Sequence, residues 1–267
     1  MHWIIQDNLH HEAGHTNLLH TLERFDIPHT QVKVVPFSAG LPLSERIQPL
    51  VHPDGPVMVC GSISLAQVAA QAGWTPGSFY NENHDYRVWQ EHLADHLLNA
   101  HSVVCRFGDV DDRWDEFFIR PCGDTKSFTG NCYDYVEFDT WRRRVVDLHE
   151  TYTTLDADTM VMYSPIKQIY REARFFVVDG EVVTASTYKI GARGHHTAEV
   201  PPSMWDYARR MVRKWQPARA YVMDLALTDD ADDGYNKIVE FNCINASGFY
   251  QIDMQKFVMA IENMQFQ

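Results

Sequence analysis

The sequence predicts an α/β opening domain followed by a larger α+β domain. Three observations predict it. Residues 1–75 alternate short apolar strands with amphipathic helical segments. The stretch beyond residue 78 carries a succession of strand-like runs with few helices between them. Between the two lies Gly73-Trp74-Thr75-Pro76-Gly77, a cluster of chain-breaking residues that marks a boundary. The expected domains are therefore 1–77 and 78–267.

In the opening domain, Trp3-Ile4-Ile5 reads as a strand. Leu18, Leu19, Leu22 and Phe25 fall at helical spacing in 12–25, and 31–36 is a second strand. Pro56 to Ser62 is a third strand ending in a Gly-Ser turn before a helix over 65–72. This is the layout of a small parallel sheet with crossover helices. In the second domain a helix over 86–98 precedes strands at 102–107, 116–120, 159–163, 173–178, 181–189, 218–227 and 237–242. Asp179-Gly180 between two apolar runs predicts a tight hairpin. Helices are expected over 140–148, 202–215 and 253–264. There is no internal repeat and no low-complexity segment.

The 267 residues are 45% hydrophobic and 22% charged, as in an ordinary globular protein. The net charge of −13 argues against a duplex nucleic-acid binder. It leaves room for an anionic ligand held by a few local cations. No apolar run approaches the length of a membrane span. The opening residues Met1 to Asp7 lack a basic stretch and a long apolar stretch, so no signal peptide is expected. Cys60, Cys105, Cys122, Cys132 and Cys243 are scattered, odd in number and without CxxC spacing, which reads as a reduced cytoplasmic protein.

The chemistry is concentrated near the C-terminus. The runs 221–227 and 237–242 alternate apolar and polar residues. Side chains two apart on a strand share a face, so Glu240 and Asn242 point the same way. If the two strands pair antiparallel, Asp224 joins them. Three oxygen donors then suit Mg²⁺ bound to phosphates, although a solvated hairpin face accounts for the pattern as well.

Upstream, Arg120-Pro121 leads into the small-residue loop Lys126-Ser127-Phe128-Thr129-Gly130, which can fold over a polyphosphate. Glu172 and Arg174 are expected to share a strand face in Glu172-Ala173-Arg174-Phe175, where an exposed salt-bridged pair is the simpler reading. Tyr188-Lys189 follows on the return strand of the hairpin. Gly191-Ala192-Arg193-Gly194-His195-His196 reads as a loop, either mobile or lining a substrate pocket.

Two other motifs compete. His11-Glu12-Ala13-Gly14-His15 fits the zinc-peptidase pattern His-Glu-x-x-His, with His11, Glu12 and His15 as its working residues. It sits at a helix start with a glycine inside it, and no third ligand follows at the extended spacing. Residues 229–240 approach a calcium loop, but Ala231 occupies a ligand position and the flanks are strands.

The segments Arg120-Pro121, Lys126 to Gly130, Glu172 to Phe175, Tyr188-Lys189, Asp224, Glu240-Phe241-Asn242 and Ser247-Gly248-Phe249-Tyr250 together resemble the ATP-grasp superfamily. More closely, they look like a clade of ATP-grasp domains from phages and bacteria. The motifs cover about residues 100–260, and the β/α opening looks like the pre-ATP-grasp domain of such proteins. The resemblance implies an ATP-grasp fold with lobes over about 78–163 and 164–267 enclosing the nucleotide. It implies backbone contacts to adenine near Tyr163, Ser164 and Ile166. Arg120, Lys126 and Lys189, with Ser127, Thr129 and Gly130, would face the phosphates. Asp224, Glu240 and Asn242 would hold one or two Mg²⁺. Arg174, Arg193 and Glu172 would serve catalysis, and Asn245, Ser247 and Tyr250 stand next as candidates to reach the acceptor or the phosphates.

The implied activity is ATP-dependent carboxylate–amine ligation through an acyl phosphate, acting on small-molecule or peptide substrates. A phosphotransferase using the same site and a catalytically silent nucleotide-binding module are the alternatives. Two unit charges about 4 Å apart interact by about 4 kcal/mol at an effective dielectric of ~20, so one lysine cannot hold a triphosphate beside a second anion. Several cations with Mg²⁺ can.

Overall fold

The computed structural model describes residues 1–8, 13–35, 38, 40–123, 127–147, 154–229 and 235–266. These divide into two compact units: residues 1–81, 171–225 and 241–267 form the first, and residues 82–170 and 226–240 the second.

The first unit opens with a five-stranded sheet in the order β3-β2-β1-β4-β5. Its strands are β1 (His2–Gln6), β2 (His29–Val34), β3 (Ile47–Gln48), β4 (Val57–Cys60) and β5 (Pro76–Gly77). β1 runs parallel to both β2 and β4. The crossover helices are α1 (Ala13–Arg24) and α3 (Ile63–Ala72), with the short α2 (Leu43–Arg46) before β3. Helix α3 stops at Gly73, whose φ of 69° is left-handed and closes the helix at no steric cost. β1 and β4 are buried along nearly their whole length, as expected of strands covered on both faces. The strands and helices expected over 1–75 are thus present, with β3 and β5 added at the two edges.

The second sheet has the order β12-β11-β10-β13-β14. Its strands are β10 (Ile169–Val178), β11 (Glu181–Ile190), β12 (Arg193–Thr197), β13 (Ala220–Thr228) and β14 (Asn236–Cys243). The β10–β11 hairpin turns at Asp179 and Gly180, with φ of 46° and 84°. Two consecutive positive φ values are what a two-residue hairpin with native twist demands, and Asp-Gly supplies them. Asp179 is fixed there by both oxygens accepting from Arg219, at 2.7 and 2.8 Å. Helix α6 (Pro202–Lys214) packs Trp205 edge-on against Phe175. Helix α7 (Met254–Glu262) sends Phe257 against Phe176, Phe249 and Trp3, so one apolar cluster joins the N-terminal and C-terminal segments of this unit.

β12 corrects the reading of 191–196 as a loop. Arg193 to Thr197 has little intrinsic preference for a strand, yet it pairs antiparallel with β11, in the register Ile190 opposite Arg193 and Lys189 opposite Gly194.

The second unit holds a four-stranded sheet in the order β6-β9-β7-β8. Its strands are β6 (Val103–Arg106), β7 (Glu116–Pro121), β8 (Asn131–Asp134) and β9 (Met160–Ser164). Helices α4 (Tyr86–Leu93) and α5 (Tyr135–Val146) belong to the same unit. Each is capped by an aspartate: Asp85 accepts from the Arg87 amide and Asp134 from the Glu137 amide, both at 2.9 Å. The core is aromatic, with Phe107, Phe117, Phe138 and Tyr163 fully buried.

Candidate active site

In the second unit, β7 carries Arg120 beside the backbone of β9, opposite Met162. The Arg120 guanidinium lies 5.3 Å from the centre of the buried Trp89 ring. Its Nη1 donates to Glu240 Oε2 at 2.5 Å, and its Nε donates to the Pro121 carbonyl at 3.3 Å. Trp89 is itself fixed through Nε1 donating to the Asn83 carbonyl at 2.8 Å. A Cβ on Gly130 would come within 3.0 Å of Arg120 Cβ and of the Phe118 ring, so only glycine fits there without displacing the arginine. Glu240 ends this unit's stretch of β14. Upstream on that strand the buried Lys237 donates Nζ to the Asp95 carbonyl at 2.9 Å.

In the first unit, β10 carries Arg174 and β13 carries Asp224. Arg174 Nε and Nη2 donate to the two carboxylate oxygens of Asp224 at 2.9 and 2.7 Å, and Nη1 donates to the Gly248 carbonyl at 3.2 Å. Asp224 is fully buried, and Asn242 adds a donation from Nδ2 to its Oδ2 at 3.3 Å. Tyr188 and Tyr250 stack on each other at 5.1 Å, and Arg174 lies 5.6 and 5.1 Å from their ring centres. Burial by itself would lower the pKa of Arg174. The charge and hydrogen bonds of Asp224, aided by Tyr250 and Tyr188, outweigh it and hold the guanidinium above its usual range. Tyr250 holds its place with a φ of 52°, a left-handed conformation unusual for a tyrosine.

Glu172 and Arg174 do not pair with each other, contrary to the exposed salt bridge read from the sequence. β10 has a register irregularity between Glu172 and Ala173. Glu172 instead sits 2.8 Å from Lys189 Nζ and accepts from the Tyr188 hydroxyl at 2.7 Å. Arg193 stands opposite Ile190, and therefore on the other face of the sheet from Lys189. The structure thus groups Glu172 with Lys189, Arg174 with Asp224 and Asn242, and Arg120 with Glu240.

The remaining candidates separate by environment. Tyr163 is buried and donates its hydroxyl to Asp111 at 2.7 Å. Ser164 is buried and donates to Asn99 Oδ1 at 2.9 Å, while Ile166 is exposed. Ser127 is buried and Thr129 exposed. Lys126 lies outside the described residues, as do His11 and Glu12. His15 sets Nε2 3.3 Å from the Gln6 carbonyl and its ring against Phe249. A Cβ on Gly14 would come within 2.7 Å of Phe249 Cβ, so the glycine inside the His-Glu-x-x-His segment permits close helix packing. No group of three or more His, Cys, Asp or Glu side chains placed to hold a metal occurs among the described residues. Asn245, a candidate for the acceptor side, instead ties the C-terminal segment to the first sheet. Its Nδ2 donates to the Val59 and Gly77 carbonyls at 2.6 and 3.2 Å, and Oδ1 accepts from the Phe79 amide at 2.8 Å.

Residues 54–261 match a model of the ATP-grasp domain, the third family of its clade. The chain belongs to this ATP-grasp family. The ATP-grasp fold explains the mixed α/β architecture, and the chain is an ATP-dependent ligase whose cofactors are ATP and Mg²⁺. Three solved structures illustrate the shared fold. The D-cycloserine synthetase DcsG is 13% identical over 97% of this chain and 98% of its own, with a TM-score of 0.58. The D-alanine–D-alanine ligase of Bacillus anthracis complexed with ATP is 11% identical over 98% and 96%, with a TM-score of 0.61. The ATP-grasp ligase PsnB complexed with a minimal precursor is 12% identical over 98% and 97%, with a TM-score of 0.54. No curated protein matches the sequence.

Mg²⁺ favours hard oxygen donors. Glu240 and Asn242 offer a carboxylate and an amide carbonyl two residues apart on one strand. Asp224 fits less well, because both its oxygens accept from Arg174. Sequence reasoning finds Arg174, Asp224 and Glu240 but misses two residues that fix the arginines. Tyr188 falls in the Tyr-Lys segment without a role of its own, and nothing in the sequence singles out Trp89.

Proposed function

We propose that this ATP-grasp protein joins a carboxylate to an amine through an acyl phosphate, with small molecules or peptides as substrates. The reading rests on the family match over residues 54–261. Membership in a phage and bacterial clade and a cytoplasmic setting belong to the same proposal. All five cysteines are free, and no described helix is long and apolar enough to cross a membrane. Residues 1–77 are proposed as the pre-ATP-grasp domain and 78–267 as the ATP-grasp domain.

A carboxylate resists attack by an amine because its oxygen is a poor leaving group. Bound Mg-ATP supplies the phosphoryl group that converts this oxygen into a phosphate. The amine then attacks the acyl carbon, the carbon–oxygen bond to phosphate breaks, and the amine gives up a proton. The protein contributes position and charge. Arg120 is proposed to meet phosphate oxygens when Glu240 turns to the cation, the two charges exchanging partners together. Lys189, aimed by Glu172, is proposed to meet phosphate as well, with Ser127, Thr129 and Gly130 shaping the adjoining loop. Glu240 and Asn242 are the proposed metal donors. Arg174 is proposed to hold Asp224 and the 248–250 turn rather than to face the transferred group.

Incubation with Mg-ATP and pooled amino acids, peptides and metabolites should release ADP and phosphate. It should also yield a product lighter by one water than its two components combined. ADP release with a phosphorylated product and no condensation would favour a phosphotransferase. No nucleotide turnover with any pool would remove the ligase reading.

A further inference from the structure

We propose that β12 is the docking edge for an extended, acidic polypeptide segment, which joins the sheet as one more strand. The proposal rests on the ligase reading and names a polypeptide as its substrate class.

β12 ends the order of its sheet, and among the described residues no strand pairs with its outer side. Arg193 to His196 is exposed throughout. An edge strand turns alternate N–H and C=O groups outward, and an extended chain can satisfy them. The charge at this edge opposes that of the whole molecule. Arg171 stands opposite Ile190, and Ile190 opposite Arg193, so two arginines flank one exposed isoleucine in a row across three strands. His195 follows on the same face by strand alternation. Arg171, Arg193 and His195 make no ion pair or side-chain hydrogen bond among the described residues. Lys189, by contrast, is neutralised by Glu172. A local excess of unpaired basic groups on a chain of net charge −13 favours an acidic partner.

The same pattern disfavours a second copy of this chain. Edge-to-edge pairing of two β12 strands would set Arg193 and His195 of one copy near those of the other, and like charges across a strand pair are destabilising. Neighbouring strands lie about 4.8 Å apart, so an added strand would run about 10 Å from the backbone of Lys189. Its alternate side chains would face Arg193 and His195 on one side of the sheet. The others would face the side that bears Lys189, with His196 packed on Tyr250 at 4.8 Å.

Fluorescence anisotropy with synthetic peptides tests this on the full chain. Peptides alternating Glu with Val should bind, and the same peptides with Lys in place of Glu should not. Methylating alternate backbone amides of the acidic peptide should weaken binding about tenfold or more, because strand addition needs those donors. The double substitution Arg171→Glu with His195→Glu should weaken binding about tenfold while leaving Mg-ATP affinity unchanged. Equal binding of the basic peptide, indifference to methylation, or an unaffected double variant would overturn the proposal. So would a concentration-dependent dimer that the double variant abolishes, which would mean a second copy covers the edge. Mg-ATP binding by the wild type is read in parallel. If it fails, the ligase reading falls while the peptide result stands. If it succeeds and the acidic peptide does not bind, only the docking edge is lost.

Discussion

Two arginine–carboxylate pairs, one in each unit, share their chemistry and differ in their surroundings. Arg174 and Asp224 have side chains only 11% and 1% exposed, joined by two hydrogen bonds and set beside two tyrosines. Arg120 and Glu240 are 13% and 27% exposed, joined by one hydrogen bond, with Trp89 against the guanidinium. A deeply buried, doubly bonded pair cannot release a partner without stranding a charge in low dielectric. A half-open pair can, because water and an incoming ion replace what is lost. Residue types that look equivalent in the sequence thus divide into one pair that holds the fold and one that can exchange partners for nucleotide and cation.

The largest effect should follow from breaking the buried pair. Asp224→Asn leaves Arg174 charged, buried and short of its counter-charge, so stability should fall by about 3–5 kcal/mol. Urea denaturation measures it. The double variant Arg174→Met with Asp224→Leu should recover most of the loss, since no charge is then left unpaired. An unchanged midpoint in Asp224→Asn would mean that the buried pair is as exchangeable as the other one.

Next comes the half-open pair. Glu240→Gln should abolish Mg-ATP turnover while shifting stability by less than about 1 kcal/mol. It should also tighten the binding of ATP in the presence of a chelator, because Arg120 loses its internal counter-charge. Titration calorimetry reads that affinity. Full turnover, or weaker metal-free binding, would refute the exchange.

A smaller effect is expected at the residue that links the two carboxylates of the first unit. Tyr188→Phe keeps a ring beside Arg174 but removes the hydroxyl that donates to Glu172. The loss should be about 1 kcal/mol in nucleotide affinity, as Lys189 becomes less firmly aimed, with stability little changed. A larger fall in stability than in affinity would make the Glu172 group part of the framework, like Asp224.

How much of this is legible from the sequence depends on how local the cause is. The Asp179-Gly180 hairpin is readable because two adjacent residues supply both positive φ values. β12 is not, because Arg-Gly-His-His becomes a strand only by pairing with β11, and that pairing is tertiary. β8, over Asn131–Asp134, escapes the sequence reading for the same reason. At the site, alternation correctly draws attention to Arg174 and Asp224. It misassigns the partner of Glu172, because a register irregularity after Glu172 leaves no mark on the hydrophobic pattern. The contact between Arg174 and Asp224 joins positions 50 residues apart, and nothing in either segment announces the other.

The smallest predicted effect lies three residues from Asp224 on the same strand, where it tests whether every buried polar group on β13 is equally integral. Tyr221 is fully buried, and its hydroxyl has no hydrogen-bond partner among the described residues. Burial pushes its pKa up, since the charged form finds no solvation there. The odd spacing from Asp224 puts its ring on the opposite face of the strand, 5.7 Å from Phe241. An unpaired buried hydroxyl costs about 1–3 kcal/mol, and phenylalanine keeps the ring while removing that oxygen. Tyr221→Phe should therefore leave stability unchanged or raise it by about 1 kcal/mol, with turnover unaffected. Thermal and urea midpoints measured beside those of Asp224→Asn make the contrast direct. A clear fall would mean that the hydroxyl is held by a buried water, and that the two faces of β13 contribute to stability alike.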